Sequence, residues 1–334
     1  MKKCVHVDSQ YFLHDRSAET ERLARHGIEL VTAEIEKDDA DGFVEACKDA
    51  DAVITCYAEA NENVFSRLPN LKIVVRTGVG YDNVDVDAAT KYNIAACNIP
   101  HFCTQEVAVS ACTHILNCVR RLTYENTLVH NGEWMIGSKG YPYVRLSTQK
   151  LGLVGFGKIA KMVASYMKGF GVEIMAYDPY LPDAVFEENG VRRVLLEELC
   201  AQADIISIHV PDSAKTHHLI GKEQFALMRD GVYIVNTARG GLIDQAALCD
   251  ALDSGKVRAA GLDVLEEEPP TEATAKILTY ENVFITPHRA SQSPQSWEDL
   301  LTQMLDTVIE GIDGTIPETA LNRKELATKR GIVL

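Results

Sequence analysis

The sequence predicts an α/β protein with two doubly wound parallel sheets. Short apolar runs of strand length alternate with helical patterns along most of the 334 residues. This alternation occurs in two successive series, and a glycine-rich turn follows the first strand of the second series. Alternating strands and helices are typical of parallel sheets that are covered by helices on both faces. Each series is long enough to form a domain with its own core.

The first series contains five apolar runs that we interpret as strands. They lie at Cys4 to Val7, Ile28 to Val31, Ala52 to Ile54, Ile73 to Val75 and Ile94 to Cys97. The second series has six such runs. It begins at Leu151 and continues at Glu173 to Tyr177, Ile205 to Ile208, Tyr233 to Val235, Ala259 to Leu262 and Val283 to Ile285.

Two regions lie outside these series. Between them, Glu106 to Arg121 predicts a long helix, and Tyr124 to Lys150 predicts an irregular arm that carries Trp134. After the second series, Ser293 and Pro294 are typical of a helix start. Apolar residues follow at helical spacing, at Trp297, Leu300, Leu301, Met304 and Val308.

The last helix needs an apolar partner, which the first domain can supply. We therefore expect a discontinuous substrate domain, residues 1–100 plus 290–334, and a second domain, residues 101–289, around a cleft. The long helix and the arm, about residues 103–150, belong to the second domain in this interpretation.

The composition is typical of a globular protein, with 46% hydrophobic and 24% charged residues. The net charge of −15 argues against a nucleic-acid surface and against attraction to anionic membranes, because both need clustered Lys and Arg. We therefore expect a small-molecule substrate, with neither nucleic acid nor membrane as a partner.

Nine cysteines occur without a C-x-x-C pair, and His209, His217 and His218 lack a zinc-ligand spacing. We therefore expect reduced, buried thiols and no metal site. The N-terminal segment MKKCVHVDSQ lacks the apolar core of a signal peptide. The sequence predicts a cytoplasmic protein.

The segment from Leu151 to Asp178 contains a strand, a glycine-rich turn, an amphipathic stretch and a second strand. Gly155 permits the tight turn, and Gly157 lets the backbone approach a pyrophosphate. The helix that follows directs free N–H groups at the phosphates, and Asp178 is placed to bind the ribose hydroxyls and repel a 2′-phosphate. NAD is therefore the expected cofactor. The helix begins with two further candidate contacts, Lys158 and Ile159, and Ala160 takes the third glycine position.

The second half of this domain carries chemically useful side chains beyond predicted strands. Arg239 lies in TARGG, Glu268 in DVLEEEPP and His288 in ITPHRAS. These segments resemble, in order and spacing, the D-isomer-specific 2-hydroxyacid dehydrogenases, from about Asp51 to about Pro317. RTGVGYDNVD, CNIP and VNTARGG are most similar to the group of the C-terminal-binding-protein corepressors and bacterial 2-oxo acid reductases.

The resemblance implies a flavodoxin-like substrate domain, a Rossmann NAD-binding domain and reduction of a 2-oxo acid. A planar guanidinium at Arg239 can pair with the substrate carboxylate and polarise its carbonyl. His288 would be the acid and base of hydride transfer, and Glu268 would keep it protonated and fix its tautomer. Glu266 and Glu267 are interpreted as solvated.

The family also implies contacts by residues that the chemistry alone does not single out. Val79 and Gly80 would bind the substrate carboxylate through their N–H groups. NAD would be contacted by Thr237, Asp263, His209 and Thr216, although packing is nearly as good an interpretation of His209. The long helix and the arm would form a homodimer interface.

The loop ITCYAEANENV departs from the phosphoglycerate dehydrogenases, because Tyr57 stands where that group has an Arg. A phosphorylated substrate is therefore disfavoured, and Tyr57 becomes a substrate-binding candidate. Glyoxylate, hydroxypyruvate, pyruvate, branched-chain and aromatic 2-oxo acids all remain open. Two alternatives are an NAD(H)-sensing dimeric scaffold similar to the corepressors and an enzyme similar to phosphoglycerate dehydrogenase.

Overall fold

The computed structural model describes residues 1–11, 15–134 and 143–333. It divides into two compact units, of which the first combines Met1–Cys103 with Ser293–Leu334 and the second is Thr104–Gln292. The strands are β1 Lys2–His6, β2 Ile28–Thr32, β3 Ala52–Thr55, β4 Ile73–Arg76, β5 Ala95–Cys97, β6 Lys150–Val154, β7 Glu173–Tyr177, β8 Arg192–Arg193, β9 Ile205–Ile208, β10 Val232–Asn236, β11 Val257–Leu262 and β12 Val283–Ile285.

The helices of both units cover the faces of the sheets or flank them. They are α1 Ser17–Arg25, α2 Ala40–Cys47, α3 Glu62–Phe65, α4 Val86–Lys91, α5 Thr104–Arg120, α6 Leu122–His130, α7 Lys158–Lys168, α8 Asp183–Glu188, α9 Leu196–Gln202, α10 Lys222–Leu227, α11 Gln245–Asp253, α12 Pro294–Gly311 and α13 Arg323–Arg330. Of the helices in the described part of the chain, none has the length and apolar character that a membrane span requires.

The first unit is built on a parallel five-stranded sheet with the order β2-β1-β3-β4-β5. This flavodoxin-like order reverses between β1 and β3, so loops after these two strands lie at the switch point of the sheet. Three short helices begin at side-chain caps, where Asp39, Asn61 and Asp85 each accept a backbone N–H. Apolar clusters cover both faces of the sheet.

The end of the chain completes the first unit. Ser293 caps α12 with Pro294 in its first turn, as the sequence predicts. The apolar positions of α12, including Met304 and Val308, pack in one cluster with Ile73 and other strand residues of this unit. The predicted need of this helix for a partner surface is therefore met within the first unit.

The second unit contains a parallel seven-stranded sheet with the order β12-β11-β10-β9-β6-β7-β8. Beginning at β6, this is the Rossmann order, and the reversal lies between β6 and β9. The long helix α5 lies on the sheet through buried residues at helical spacing, among them Ala111, Ile115 and Cys118. The prediction of two doubly wound parallel sheets is confirmed in both units.

Two elements differ from the prediction. The predicted arm from Tyr124 is helical in its first part, because α6 covers Leu122–His130 after Arg121 adopts a left-handed conformation with φ of 56°. No residue of α6 is buried, so the sequence there lacks the apolar periodicity that identifies a helix. The short strand β8 is also missing from the prediction, since both of its arginines are exposed. Part of the predicted arm, residues 135–142, lies outside the described residues.

Candidate active site

The glycine-rich turn lies at the switch point of the seven-stranded sheet. Gly155 has φ of +90°, and a Cβ there would lie 2.9 Å from the carbonyl oxygen of His209. Only glycine therefore fits this conformation and this close approach. A Cβ on Gly157, in contrast, would meet no atom within 4 Å, which leaves open space beside the backbone at the start of α7.

The first residues of α7, Lys158 and Ile159, lie where a helix has N–H groups without intrahelical acceptors. Asp178 follows β7 and binds back to the turn, since its Oδ2 accepts the Phe156 N–H at 3.0 Å. Its Oδ1 accepts the Tyr180 N–H at 3.0 Å. A carboxylate has about four acceptor positions, so Asp178 retains capacity for two hydroxyl groups.

His209 and Thr216 are held by contacts within the chain. The His209 N–H donates to the Val154 carbonyl at 2.7 Å, and its ring Nε2 lies 2.9 Å from Ser207 Oγ. Burial lowers the pKa of His209 to about 4, so the ring is neutral at pH 7. The Thr216 hydroxyl donates to the Pro211 carbonyl at 2.7 Å. The packing interpretation of His209 therefore has direct structural support, whereas a contact with NAD stays a prediction for both residues.

Thr237 fits a bound cofactor for a different reason. It follows β10 and is buried, yet its hydroxyl has no hydrogen-bond partner among the described residues. A buried hydroxyl without a partner is costly, and a polar group of a ligand at this position would satisfy it. Together with the open space at Gly157 and the free acceptor positions of Asp178, this orphan hydroxyl agrees with the residues expected around NAD.

Three neighbouring strands each deliver one of the proposed catalytic residues. Arg239 follows β10, Glu268 follows β11 and His288 follows β12, and these strands are adjacent in the sheet. The Arg239 turn is fixed by Asn236, whose Nδ2 donates to the Arg239 carbonyl at 2.8 Å. Arg239 itself donates from Nη1 to the Ala238 carbonyl at 2.8 Å.

Glu268 and His288 form a direct pair, with His288 Nδ1 2.7 Å from Glu268 Oε2. The other carboxylate oxygen accepts the Leu265 N–H at 2.8 Å. Burial raises the pKa of Glu268, but the hydrogen bond and charge of His288, the Leu265 N–H and the charge of Arg239 outweigh it, so the pKa is below its usual range. Glu268 is therefore ionised at neutral pH, and it orients the imidazole so that Nε2 is directed away from the pair.

Asp263 holds the turn that carries His288. Its buried carboxylate accepts the N–H groups of Arg289 at 2.9 Å and Ala290 at 2.8 Å, and its carbonyl accepts the His288 N–H at 2.8 Å. The Thr286 hydroxyl also donates to this carboxylate. The structure thus assigns Asp263 a positioning contact that sequence reasoning missed, and it leaves the predicted nicotinamide contact untested.

His114 extends this network from α5. Its Nε2 lies 3.1 Å from Thr286 Oγ1, and because the Thr286 proton is donated to Asp263, the His114 ring must be the donor. Burial lowers the pKa of His114, and the charge of Asp263 opposes that shift. Thr286 begins the TPH motif, whereas His114 lies in no motif, so the only signal for His114 in the sequence is a polar residue on the buried face of α5.

The three substrate candidates of the first unit lie in loops after β3 and β4. Tyr57 packs edge-to-face on Tyr11, with ring centroids 4.7 Å apart. Its loop is held by Asp8, a fully buried carboxylate after β1. The N–H groups of Cys56, Tyr57 and Ala58 donate to Asp8 Oδ2 at 2.8, 2.6 and 2.9 Å. Asp8 therefore fixes the backbone that presents Tyr57, a function that sequence reasoning missed.

Val79 and Gly80 follow β4. Asn98 Nδ2 donates to the Val79 carbonyl at 2.6 Å, which fixes this backbone. The guanidinium of Arg76 lies against Gly78, where an added Cβ would fall 1.9 Å from Arg76 Nη1. Arg76 is a cation that the sequence analysis did not consider, and its position at the end of β4 was the available signal.

The second unit has a Rossmann sheet with a glycine turn at its switch point. An Arg, a Glu and a His lie beyond three adjacent strands of this sheet. This combination is typical of a dinucleotide-dependent oxidoreductase. The chain belongs to the D-isomer-specific 2-hydroxyacid dehydrogenase family. Residues 112–290 match the family profile described as "D-isomer specific 2-hydroxyacid dehydrogenase, NAD binding domain". The matched profile is that of an NAD-binding domain, so NAD is the cofactor of the class to which this chain belongs.

Similar proteins are named for reactions of different 2-hydroxy and 2-oxo acids. D-3-phosphoglycerate dehydrogenase of Methanocaldococcus jannaschii is 38% identical over 86% of this chain and 55% of its own length, so this chain spans about half of that relative. Hydroxypyruvate reductase of Thermotoga maritima is 35% identical over 92% of this chain and 97% of its own length. Among solved structures, a glyoxylate reductase from Paecilomyes thermophila has a TM-score of 0.85 at 30% identity, covering 96% of this chain and 98% of that one.

Proposed function

We propose that this protein is an NADH-dependent reductase of a small, unphosphorylated 2-oxo acid. The observation that carries the proposal is the 2.7 Å pair of His288 and Glu268 beside the strand that delivers Arg239. NADH, when bound, supplies the hydride. Arg239 binds the substrate carboxylate through its planar fork, and His288 donates a proton to the ketone oxygen.

Gly155, Gly157, Lys158, Ile159 and Asp178 would hold the dinucleotide. Within this proposal, Val79 and Gly80 offer N–H groups to the carboxylate, and Tyr57 lines the site. His209, Thr216, Thr237 and Asp263 are the remaining cofactor candidates.

Glyoxylate and hydroxypyruvate are the substrates that we favour. A hydroxypyruvate reductase and a glyoxylate reductase are among the relatives that are at least 30% identical to this chain. Tyr57, an uncharged side chain, also stands in the loop where a phosphate would need a cation.

A panel of 2-oxo acids with NADH, followed by the nicotinamide absorbance, tests the substrate class. We expect turnover of glyoxylate or hydroxypyruvate and a kcat/KM at least about tenfold lower for 3-phosphohydroxypyruvate. The reverse ranking would favour the phosphoglycerate dehydrogenase alternative, and binding of NADH without any turnover would favour the scaffold alternative.

Two variants test the residue roles. His288→Ala should lower kcat by about 10² to 10⁴ because general acid catalysis is lost. Arg239→Lys should mainly raise KM, because an ammonium cannot form the paired hydrogen bonds to a carboxylate. NADH binding, measured by fluorescence titration, should be unchanged in both, and a parental kcat in His288→Ala would contradict its assigned role.

A further inference from the structure

A side-chain contact joins two loops of the second unit near the proposed catalytic residues. His218 follows β9 and Glu266 follows β11, and His218 Nε2 lies 2.7 Å from Glu266 Oε1. We call this contact the His218–Glu266 pair. The two side chains are 39% and 33% exposed, so the pair adds little to the stability of the fold. Its significance therefore depends on what the two loops hold in place.

His218 is fixed by the turn that carries Arg239. The His218 N–H donates to the carbonyl of Gly241, two residues after Arg239, at 2.7 Å. His218 adopts φ of 51°, a conformation that is uncommon for a residue with a Cβ. Its ring stacks on that of His217, with centroids 4.1 Å apart. Both the backbone and the ring of His218 are therefore fixed where Nε2 meets Glu266.

Glu266 is fixed by the first residue of α11, Gln245. Its Oε2 accepts the Gln245 N–H at 3.2 Å, and the Glu266 N–H donates to Gln245 Oε1 at 3.4 Å. Gln245 is buried, and its Nε2 donates to the Thr274 carbonyl at 3.0 Å. Each carboxylate oxygen of Glu266 thus has a contact within the chain, which corrects the interpretation of this side chain as simply solvated.

The Leu265–Glu266 peptide connects the pair to the proposed catalytic residues. The Leu265 N–H donates to Glu268 Oε1 at 2.8 Å, and Glu268 Oε2 lies 2.7 Å from His288 Nδ1. The same peptide lies against Gly240, where an added Cβ would overlap the Leu265 carbonyl and the Glu266 nitrogen. A displacement of this peptide would therefore remove the backbone donor that orients the Glu268 carboxylate.

We propose that His218 and Glu266 are positioning residues for the proposed reduction, because their contact holds the Leu265–Glu266 peptide where it directs Glu268 at His288. This role rests on the proposed function, in which His288 transfers the proton. Proton transfer requires the acid within hydrogen-bond distance of the substrate, and a misplacement of about 1 Å can cost about 10²-fold in rate. The pair therefore acts on kcat through Glu268, without touching the substrate.

Two variants break the pair in different ways. His218→Asn tolerates the left-handed conformation but is too short to reach Glu266, and Glu266→Ala removes the carboxylate. With saturating NADH, each should lower kcat for 2-oxo acid reduction by at least about tenfold and leave KM for the acid within about twofold. Glu266→Gln should retain most of the parental kcat, because its oxygen can accept the Gln245 N–H and its NH₂ can donate to a neutral His218 ring.

The double variant His218→Asn/Glu266→Ala separates the pair from unrelated effects of each substitution. If both residues act through their mutual contact, its kcat should be close to that of the weaker single variant rather than the product of the two losses. Glu267→Gln is the control in the same loop, since Glu267 binds the hydroxyls of Thr271 and Thr274. Its kcat should equal that of the parent.

Hydrogen exchange measures the position of the loop without catalysis. The N–H groups of residues 265 and 266 donate to Glu268 and Gln245 and should exchange slowly in the parent. Mass spectrometry of the peptide that contains them should show exchange at least about tenfold faster in His218→Asn and Glu266→Ala, and unchanged in Glu267→Gln.

The two measurements separate this role from the proposed function. A parent that binds NADH and reduces no 2-oxo acid would contradict the proposed function, and hydrogen exchange would still decide whether the pair holds the loop. The positioning role is overturned if exchange is unchanged in both single variants, if exchange rises while kcat stays parental, or if the two losses of kcat multiply in the double variant.

Discussion

His288 adopts a left-handed backbone conformation with φ of 52°, and the reason lies in the buried Asp263 rather than in its own side chain. Asp263 accepts two N–H groups of the turn, and Thr286 links it to His114 on α5. A residue with a Cβ remains in this conformation only when its surroundings fix it. Two contacts therefore fix the direction of the His288 ring: Asp263 holds its backbone, and Glu268 holds its imidazole.

The depressed pKa of Glu268 predicts how the pair responds to pH. The pKa of a Glu in an unfolded chain is about 4.3. The pKa of Glu268 in the folded protein is lower, so its pair with His288 contributes its full stability above the unfolded pKa. This stability is lost as the pH falls through the folded pKa.

Glu268→Gln should shift the pH profile of reduction. The reaction needs a protonated imidazole, so reduction declines as the pH rises. Removing the carboxylate charge disfavours the protonated form, so the decline should move to more acidic pH. Oxidation of the 2-hydroxy acid should strengthen over the same range, and NADH binding should change little. The pH profile of kcat/KM for Glu267→Gln should equal that of the parent protein. An unchanged profile for Glu268→Gln would contradict the proposed role of Glu268.

Asp8 should be among the most sensitive polar positions of the first unit. Asp8→Asn replaces one acceptor oxygen by an amide that cannot accept, so buried N–H groups of the Tyr57 loop lose their partner. We expect a loss of about 3 kcal/mol in the free energy of unfolding, measured by urea denaturation. Asp38→Asn, at an exposed position, should have almost no effect. Equal stability of the two variants would contradict the role of Asp8.

At the scale of elements, the segment from β6 to Asp178 contains the residues that we expect to select the nucleotide. Its turn accepts only glycine at residue 155, and Asp178 returns from β7 to bind the Phe156 N–H. The acidic side chain is thus fixed beside the turn rather than free at the end of a strand.

Asp178→Asn separates charge from hydrogen bonding, because Asn can still accept one N–H. We expect the affinity for NADPH to rise at least about tenfold, since the repulsion of a 2′-phosphate is lost. The affinity for NADH should fall only slightly. Asp183→Asn is the control, because Asp183 is exposed and paired with Arg193. Equal affinities of the parent for NADH and NADPH, measured by fluorescence titration, would contradict this role.

The elements that the sequence predicts well are those whose burial produces a pattern. All four residues of strand β9 are buried and three of them are isoleucine, because both faces of the strand are covered, and α12 has a cap and apolar residues at helical spacing. The helix α6 and the strand β8 bury no side chain, so their sequences contain no such pattern. The same reasoning explains the site, since TARGG and TPH are local motifs whereas Asp8, His114 and Asp263 act through partners that are distant in sequence.

At the scale of the whole molecule, the core of the first unit includes residues from both the first hundred positions and the C-terminal segment. The α12 residues Leu300, Met304 and Val308 are buried in a core that also contains strand residues from the first hundred positions. A polar contact also joins the C-terminal segment to strand β5, because Asn322 accepts the Ala96 N–H at 3.1 Å. The apolar face of α12 predicts that the helix needs a partner in the first domain, but it does not identify the strand residues, such as Ile73, that lie more than 200 residues earlier.

We expect the protein to be a homodimer through α5 and α6. Large apolar side chains are exposed on these helices, with Val109 48%, Leu122 70% and Val129 49% accessible, although α6 buries nothing within the chain. Apolar surface of this kind is typical of a protein interface. Leu122→Glu should weaken the dimer at least about tenfold, because a charge in an apolar interface loses its hydration. Analytical ultracentrifugation at micromolar concentration distinguishes the monomer from the dimer.

The control is Leu278→Glu, at a position that is 51% exposed in the Ala275–Thr279 segment, and it should leave the dimer intact. A monomeric mass for the parent protein would contradict the prediction, and equal dissociation of the two variants would move the interface away from α6.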